Sequence, residues 1–257
     1  MQNDISANRF SQYSNTYTVS NEDIVTETKL CSPQDARVLT VAASGDQPMF
    51  YAIAGASHID TFDISFMSRV IMDFKTTALQ TMTWSKYCQQ LTSMPNLTAA
   101  SQQKKFAQVV ERMPATTRDV MTNLVQHRPM VFSYSLHIEK RDLPTRGEYA
   151  LMQKTITQPF NFIWTDLASL HTCIDSQYDI INLSNIADHI TPANLARDIQ
   201  NLIPYLTPNG RILIATIFND AAKISKTLAR LITDPNLQLY IPRTQSVFDI
   251  LIIQKSR

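Results

Sequence analysis

The chain has 257 residues, 44% hydrophobic and 18% charged, which is enough for one large domain with a sizeable core. Its 23 basic and 22 acidic side chains leave a net charge of +1, which builds no strong field for nucleic acid. The 3 cysteines have no CxxC spacing and no run approaches ~18 apolar residues, so a disulfide framework, a cysteine zinc site, a membrane span and an export signal are not expected, and a reducing cytoplasm fits.

Residues 1–36 read as an N-terminal segment. It is polar and irregular, yet it carries Phe10, Tyr13 and Tyr17, more aromatics than a disordered tail usually has. It is expected to dock on the domain as a lid or a strap. Asn21-Glu22-Asp23 opens a short helix with Asn21 as N-cap.

An apolar strand over about Arg37–Ala42 then enters a small-residue turn, Ala43-Ser44-Gly45. Pro48 suits the first turn of the helix that follows, which reaches Ala54, and Gly55 is a natural C′ residue. Strand two is about His58–Phe62, closed by Asp63. Strand, tight turn, helix, strand, carboxylate is how a doubly wound α/β sheet builds a pocket for an adenosine-containing cofactor. The turn lets backbone amides approach the ligand, and the acid hydrogen-bonds the ribose hydroxyls. Asp63 also reads as a helix N-cap ahead of Ser65.

From Ser65 to about Gln126 the apolar pattern is helical: Phe66, Val70, Phe74 and Thr77 recur at steps of four, four and three. Asn96–Arg112 and Pro114–Gln126 read as two further amphipathic helices. This excursion is too long for an ordinary crossover. It is read as a helical insertion at about 85–155, a lid or acceptor-binding subdomain, with 127–153 left mostly unassigned. Tyr134 and Tyr149 fall there and read as core residues, with contact to an acceptor as the alternative.

NFIWTDL is strand three, ending on Asp166, which reads both as a ligand contact and as the cap of the short helix after it. Tyr178–Leu183 is strand four, with Asn182, Ser184, Asn185 and Asp188 at and beyond its tip. Asn182 and Asn185 are either turn residues or site residues, since ligands sit at the carboxyl ends of strands in open α/β sheets. Thr191 caps a helix with Pro192 at its first position, reaching about Leu206. Pro208-Asn209-Gly210 is a turn, and RILIATIF is a fifth strand, apolar throughout as a strand buried on both faces should be. Asp220–Ile232 is a helix, and Leu237–Ile241 with Val247–Gln254 make a terminal hairpin. The histidines have no HxH or HExxH spacing, so no metal is expected.

The strings VLTVAASGDQ, IDTFDISF, WTDL, YDIINLSNIADHI and LTPNGRILIATI resemble, in order and spacing, the successive motifs of class I S-adenosylmethionine (SAM)-dependent methyltransferases across residues 37–255. The first motif is glycine-poor: Ala42, Ala43 and Ser44 stand where that family prefers glycine. That departure, with GA, TFDIS and LSNIADHI, is similar to a bacterial family related to 3-amino-3-carboxypropyl transferases, which includes betaine-lipid homoserine-headgroup synthases. YSNTYTVSNEDI resembles that family's N-terminal segment.

The resemblance implies a Rossmann-like class I methyltransferase fold, with a seven-stranded mostly parallel sheet, a terminal antiparallel hairpin and a helical insertion. It implies SAM as the donor. Ala43, Ser44, Gly45 and Asp46 would line the methionine end, Asp63 with Ile64 the ribose, and Asp166 with Leu167 the adenine. Asn182, Ser184 and Asn185 would lie next to the reacting centre, and Tyr13, Asn15 and Tyr17 would help to hold the amino-acid arm. The activity implied is transfer of the 3-amino-3-carboxypropyl group to a small-molecule acceptor, or displacement within the donor (closure to azetidine-2-carboxylate, for example), releasing methylthioadenosine. Methyl transfer is the alternative, and a non-catalytic SAM binder the second. No nucleic-acid partner is expected, and oligomeric state is not legible.

Overall fold

A computed structural model of the protein describes residues 16–93, 106–127, 132–133, 143–244, 246 and 248–255. The chain divides into two compact units. The first comprises Met1–Asn21, Ala42–Ile53 and Asp63–Trp164; the second comprises Glu22–Val41, Ala54–Phe62 and Thr165–Arg257.

The elements run in chain order as β1 (Thr16–Tyr17), α1 (Ile24–Cys31), β2 (Arg37–Val41), α2 (Asp46–Ile53), β3 (His58–Asp63), α3 (Phe66–Thr81), α4 (Trp84–Ser93), α5 (Ala115–His127) and β4 (Phe132–Ser133). Then come α6 (Arg146–Thr155), β5 (Asn161–Trp164), α7 (Leu167–Leu170), β6 (Tyr178–Asn182), α8 (Pro192–Leu202), β7 (Leu206–Thr216), α9 (Ala221–Leu231), β8 (Leu237–Tyr240) and β9 (Asp249–Lys255).

Seven strands form one mixed sheet in the order β5-β3-β2-β6-β7-β9-β8. β2 pairs in parallel with β3 and β6, β6 pairs in parallel with β7, and β9 runs antiparallel between β7 and β8. This is the expected doubly wound sheet with an inserted antiparallel hairpin. Parallel neighbours need long crossovers, and the helices supply them. In the second unit Val38, Leu39, Ile181, Ile212, Leu213 and Ile253 are fully buried, which is why these strands read as unbroken apolar runs.

Several boundaries differ from the sequence reading. The first helix is capped by Asp23, not Asn21: the Asp23 carboxylate accepts the Thr26 amide at 3.1 Å. β7 runs straight through Pro208-Asn209-Gly210 instead of starting after a turn. Tyr178 faces Leu206 and Ile180 faces Arg211, so the extra residues bulge out, with Asn209 at φ +66°. The helix after Thr191 stops at Leu202 and closes in a 3₁₀ turn, Ile203–Tyr205.

In the first unit, residues 106–110 are helical, and the start of the helix expected from Asn96 lies outside the described residues. The unassigned stretch contains α6, opened by a capping box in which Thr145 and Glu148 bond each other's amides. β1 pairs in parallel with β4. Thr18 and Val19 are buried in this unit, 0% and 1% exposed, so this part of the N-terminal segment is packed against its body. α6 also docks through Tyr149, whose hydroxyl donates to the Met82 carbonyl at 2.7 Å.

Candidate functional site

In the first unit the chemistry gathers on the turn between β2 and α2. Ala43 has φ +44° and Gly45 φ +82°, so two of three successive residues are left-handed. Gly45 is glycine for a packing reason as well: a Cβ there would lie 3.1 Å from the Met72 Cα on α3. The Gly45 amide closes the turn on the Ala42 carbonyl at 2.7 Å.

Asp63, the last residue of β3, holds that turn. Its Oδ2 accepts the Ala43 amide at 3.0 Å and its Oδ1 accepts the Ser65 amide at 2.8 Å. The N-cap of α3 is Ser65 itself, whose hydroxyl accepts the Met67 amide at 3.3 Å. Asp63 therefore supports the cap without being it. Burial pushes its carboxyl above the ordinary 3.8, and bonds from Ser65, Ser68, Ala43 and Ile64 pull it back.

Asp46, the first residue of α2, is engaged on every side that is seen. Its Oδ1 accepts the Lys75 ammonium at 2.5 Å; its Oδ2 accepts the Ser44 hydroxyl and the Ser20 amide, each at 2.7 Å. The Lys75 side chain is 0% exposed and that of Asp46 8%. Burial pulls the Lys75 ammonium below its usual range, and Asp46 opposes that pull. The residue expected to meet a ligand thus ties the turn, the N-terminal segment and α3 together.

In the second unit a separate cluster stands at the carboxyl end of β6. Asn182 turns its carboxamide both ways: Oδ1 accepts the Ser184 amide at 2.8 Å, and Nδ2 donates to Glu27 Oε2 at 3.0 Å. Ser184 is left-handed at φ +54°, a conformation held here by its neighbours. Its hydroxyl donates to Glu22 Oε1 in a short bond, and the same oxygen accepts the Asn185 amide at 3.1 Å. Glu27 is 1% exposed, and burial, with the negative charges of Glu22 and Asp23, raises its carboxyl well above the ordinary 4.5.

Four residues on, Asp188 knots the turn after β7. It accepts the Thr216 hydroxyl at 2.6 Å, the Ile217 amide at 2.8 Å and the Asn219 carboxamide at 3.0 Å. The knot holds Phe218 out in solvent, 76% exposed.

The remaining expected residues are placed as follows. Asp166 caps α7, accepting the Ser169 amide at 2.8 Å, which is its alternative reading. Leu167 is buried beside it. Ile64 is 40% exposed and its carbonyl accepts the Trp164 indole at 3.0 Å. Tyr17 lies on β1, 40% exposed, and Tyr13 and Asn15 fall outside the described residues.

Three functional-looking residues escape the sequence reading: Glu22, Glu27 and Lys75. Glu27 has a visible signal, since Ile24, Glu27, Thr28 and Cys31 share the buried face of α1 and an acid on such a face is unusual. Lys75 carries the same signal between Met72 and Leu79 on α3. Among the described residues no group of His, Cys, Asp and Glu is arranged to hold a metal, and no helix is long and apolar enough to cross a membrane.

No family model and no curated protein matches the chain. Among solved structures it is similar to a ribosomal protein L11 methylase from Lactobacillus delbrueckii subsp. bulgaricus, with 14% identity over 91% of this chain and 77% of that one and a TM-score of 0.47. It is similar to a magnesium protoporphyrin IX methyltransferase from Synechocystis PCC 6803 with bound SAM, with 13% identity over 91% and 74% and a TM-score of 0.42. A third is an N-methyltransferase from Bradyrhizobium japonicum WM9 in complex with S-adenosylhomocysteine, with 11% identity over 93% and 90% and a TM-score of 0.44.

Proposed function

We propose that this protein is a SAM-dependent transferase. The observation that carries the reading is the pairing, inside one unit, of the left-handed turn after β2 with Asp63 at the end of β3. In doubly wound sheets that pairing reads a ribose and the groups attached to it. Asp63 stands at the strand tip where such a carboxylate meets a ribose, and a ligand hydroxyl there would take the place of one of its present donors.

The chemistry asks little of acid–base catalysis at carbon, because the thioether that leaves a sulfonium is neutral. Positioning and exclusion of water carry the rate. The Asp46–Lys75 pair fixes the turn, and the turn fixes which amides face the donor. Methyl transfer is the reading we take, since the resemblance that runs across residues 37–255 is to methyltransferases. Aminocarboxypropyl transfer is the second, favoured by the glycine-poor VLTVAASGDQ turn. The acceptor is a small molecule or the donor's own arm, in keeping with the net charge of +1.

The test is incubation of the purified chain with SAM, alone and with metabolite extract, with nucleoside products read by mass spectrometry. S-adenosylhomocysteine means the methyl left. Methylthioadenosine above the non-enzymatic background means the aminocarboxypropyl arm left. A chain that binds SAM and releases neither under any condition is a binder, and one that does not bind SAM overturns the proposal.

A further inference from the structure

The last helix of the second unit departs from the usual pattern of a surface helix. α9 reads AAKISKTLARL and contains no acid, and its buried residues are Ala221, Ile224 and Leu228. At about 3.6 residues per turn, the direction opposite them belongs to Lys223, Lys226 and Arg230, all exposed. Among the described residues none of the three forms an ion pair.

That arrangement costs stability. The three cations follow one another at i, i+3 and i, i+4 spacing, where like charges repel. Lys223 also stands in the first turn, where the helix dipole disfavours a cation. The acids beyond each end are turned to backbone: Asp220 accepts the Ala222 and Lys223 amides, and Asp234 accepts the Asn236 amide. On α8, which packs beside α9, the single acid is Asp198, 3% exposed and paired with Arg197. The chain as a whole carries only +1, yet the fold gathers unscreened positive charge on this one face. A polyanion laid along it removes the repulsion.

The turn that leads into α9 supplies a second feature. Phe218 is 76% exposed, and Asp188 fixes the turn around it by accepting the Thr216 hydroxyl, the Ile217 amide and the Asn219 amide. A ring held out in water on a bonded turn is a platform for an unpaired base. A duplex keeps its bases stacked inside and offers none. A lipid surface would call for large apolar side chains among the cations, and the other residues of that face are Ala222, Thr227 and Ala229. Lys223 to Arg230 spans about 10 Å of helix, and a stacked strand places about three phosphates over that length.

We propose that α9 and the turn before it form a docking surface for single-stranded nucleic acid, with phosphates on Lys223, Lys226 and Arg230 and a base on Phe218. The surface stands apart from the transferase reading and does not make the strand the acceptor.

The experiment is fluorescence anisotropy of the full chain with fluorescein-labelled decauridylate, over a salt series from about 50 to 200 mM. Three phosphate contacts give an expected slope of about −2 for log K against log salt, and Lys226→Gln, with Lys223→Gln as an independent variant, flattens it by about 0.7. Phe218→Ala weakens binding by about fivefold or more and leaves the slope unchanged. All three side chains are exposed, so the variants are expected to keep native circular dichroism. Absence of saturable binding at the lowest salt, or wild-type slopes in both lysine variants, overturns the proposal. Phe218→Ala within twofold of wild type overturns the assignment to an unpaired strand. Vesicles of phosphatidylserine and phosphatidylcholine bound in place of the oligonucleotide overturn it as well, and make the face a lipid contact.

Discussion

Replacing Asp63 by alanine separates two jobs that the structure gives one side chain. Asp63 accepts the Ala43 amide at 3.0 Å and the Ser65 amide at 2.8 Å. A hydrogen bond to a charged group contributes about 1.5–3 kcal/mol net. Asp63 is only half-buried, so the lower end applies, and water replaces part of what is lost. Two such bonds give an expected loss of about 2–3 kcal/mol. With a urea slope near 3 kcal/mol per molar, the unfolding midpoint falls by about 1 M. If the same carboxylate also bonds a ribose, the folded variant loses about 2 kcal/mol of nucleoside binding, roughly 30-fold in Kd. Urea titration followed by tryptophan fluorescence reads the first quantity, and calorimetry with S-adenosylhomocysteine well below the unfolding range reads the second. A variant that loses stability but binds the nucleoside like wild type would leave Asp63 as a staple for the turn and remove the ribose role. A variant matching wild type in both would refute the geometry from which both numbers were taken.

Lys75→Met is expected to cost about 3–5 kcal/mol, because it strands a buried carboxylate, and adding Asp46→Asn should return more than half of that loss. A single variant within 1 kcal/mol of wild type by chemical denaturation would mean that the Ser20 and Ser44 bonds satisfy Asp46 on their own. Glu27 makes stability depend on pH. Burial raises its folded pKa well above the unfolded 4.5, so the folded chain binds this proton more tightly. That contribution is fully present below 4.5 and is lost as pH rises through the raised value. Glu27→Gln should therefore flatten the fall in urea midpoint above pH 4.5, and superimposable wild-type and variant profiles would count against a buried, proton-retaining Glu27.

Much of the fold was written locally. The β2-turn-α2-β3 unit was legible because apolar runs, a small-residue turn and a terminal acid are each short-range signals. The hairpin β8–β9, the cap at Thr191 and the helix after Asp220 were legible for the same reason. The helix α6 was missed although its Thr145-x-x-Glu148 box was present, because the apolar periodicity behind it is weak. The bulge in β7 could not be read, since Pro208-Asn209-Gly210 is turn chemistry whether the chain reverses there or only swells.

The sequence by itself determined which side chains are available at the tips of the strands: Asp63, Asn182, Ser184 and Asn185 were all found there from pattern alone. Only the tertiary structure decided what those side chains are bonded to. Asp46 went to Lys75, 29 residues away; Ser184 went to Glu22, 162 residues away; and Asn182 went to Glu27, 155 residues away. The physical reason is range. Periodicity, caps and turns are set by neighbours within a few residues, and they fix the elements. A buried charge is satisfied by whatever the packing brings to it, and no local pattern states what that will be.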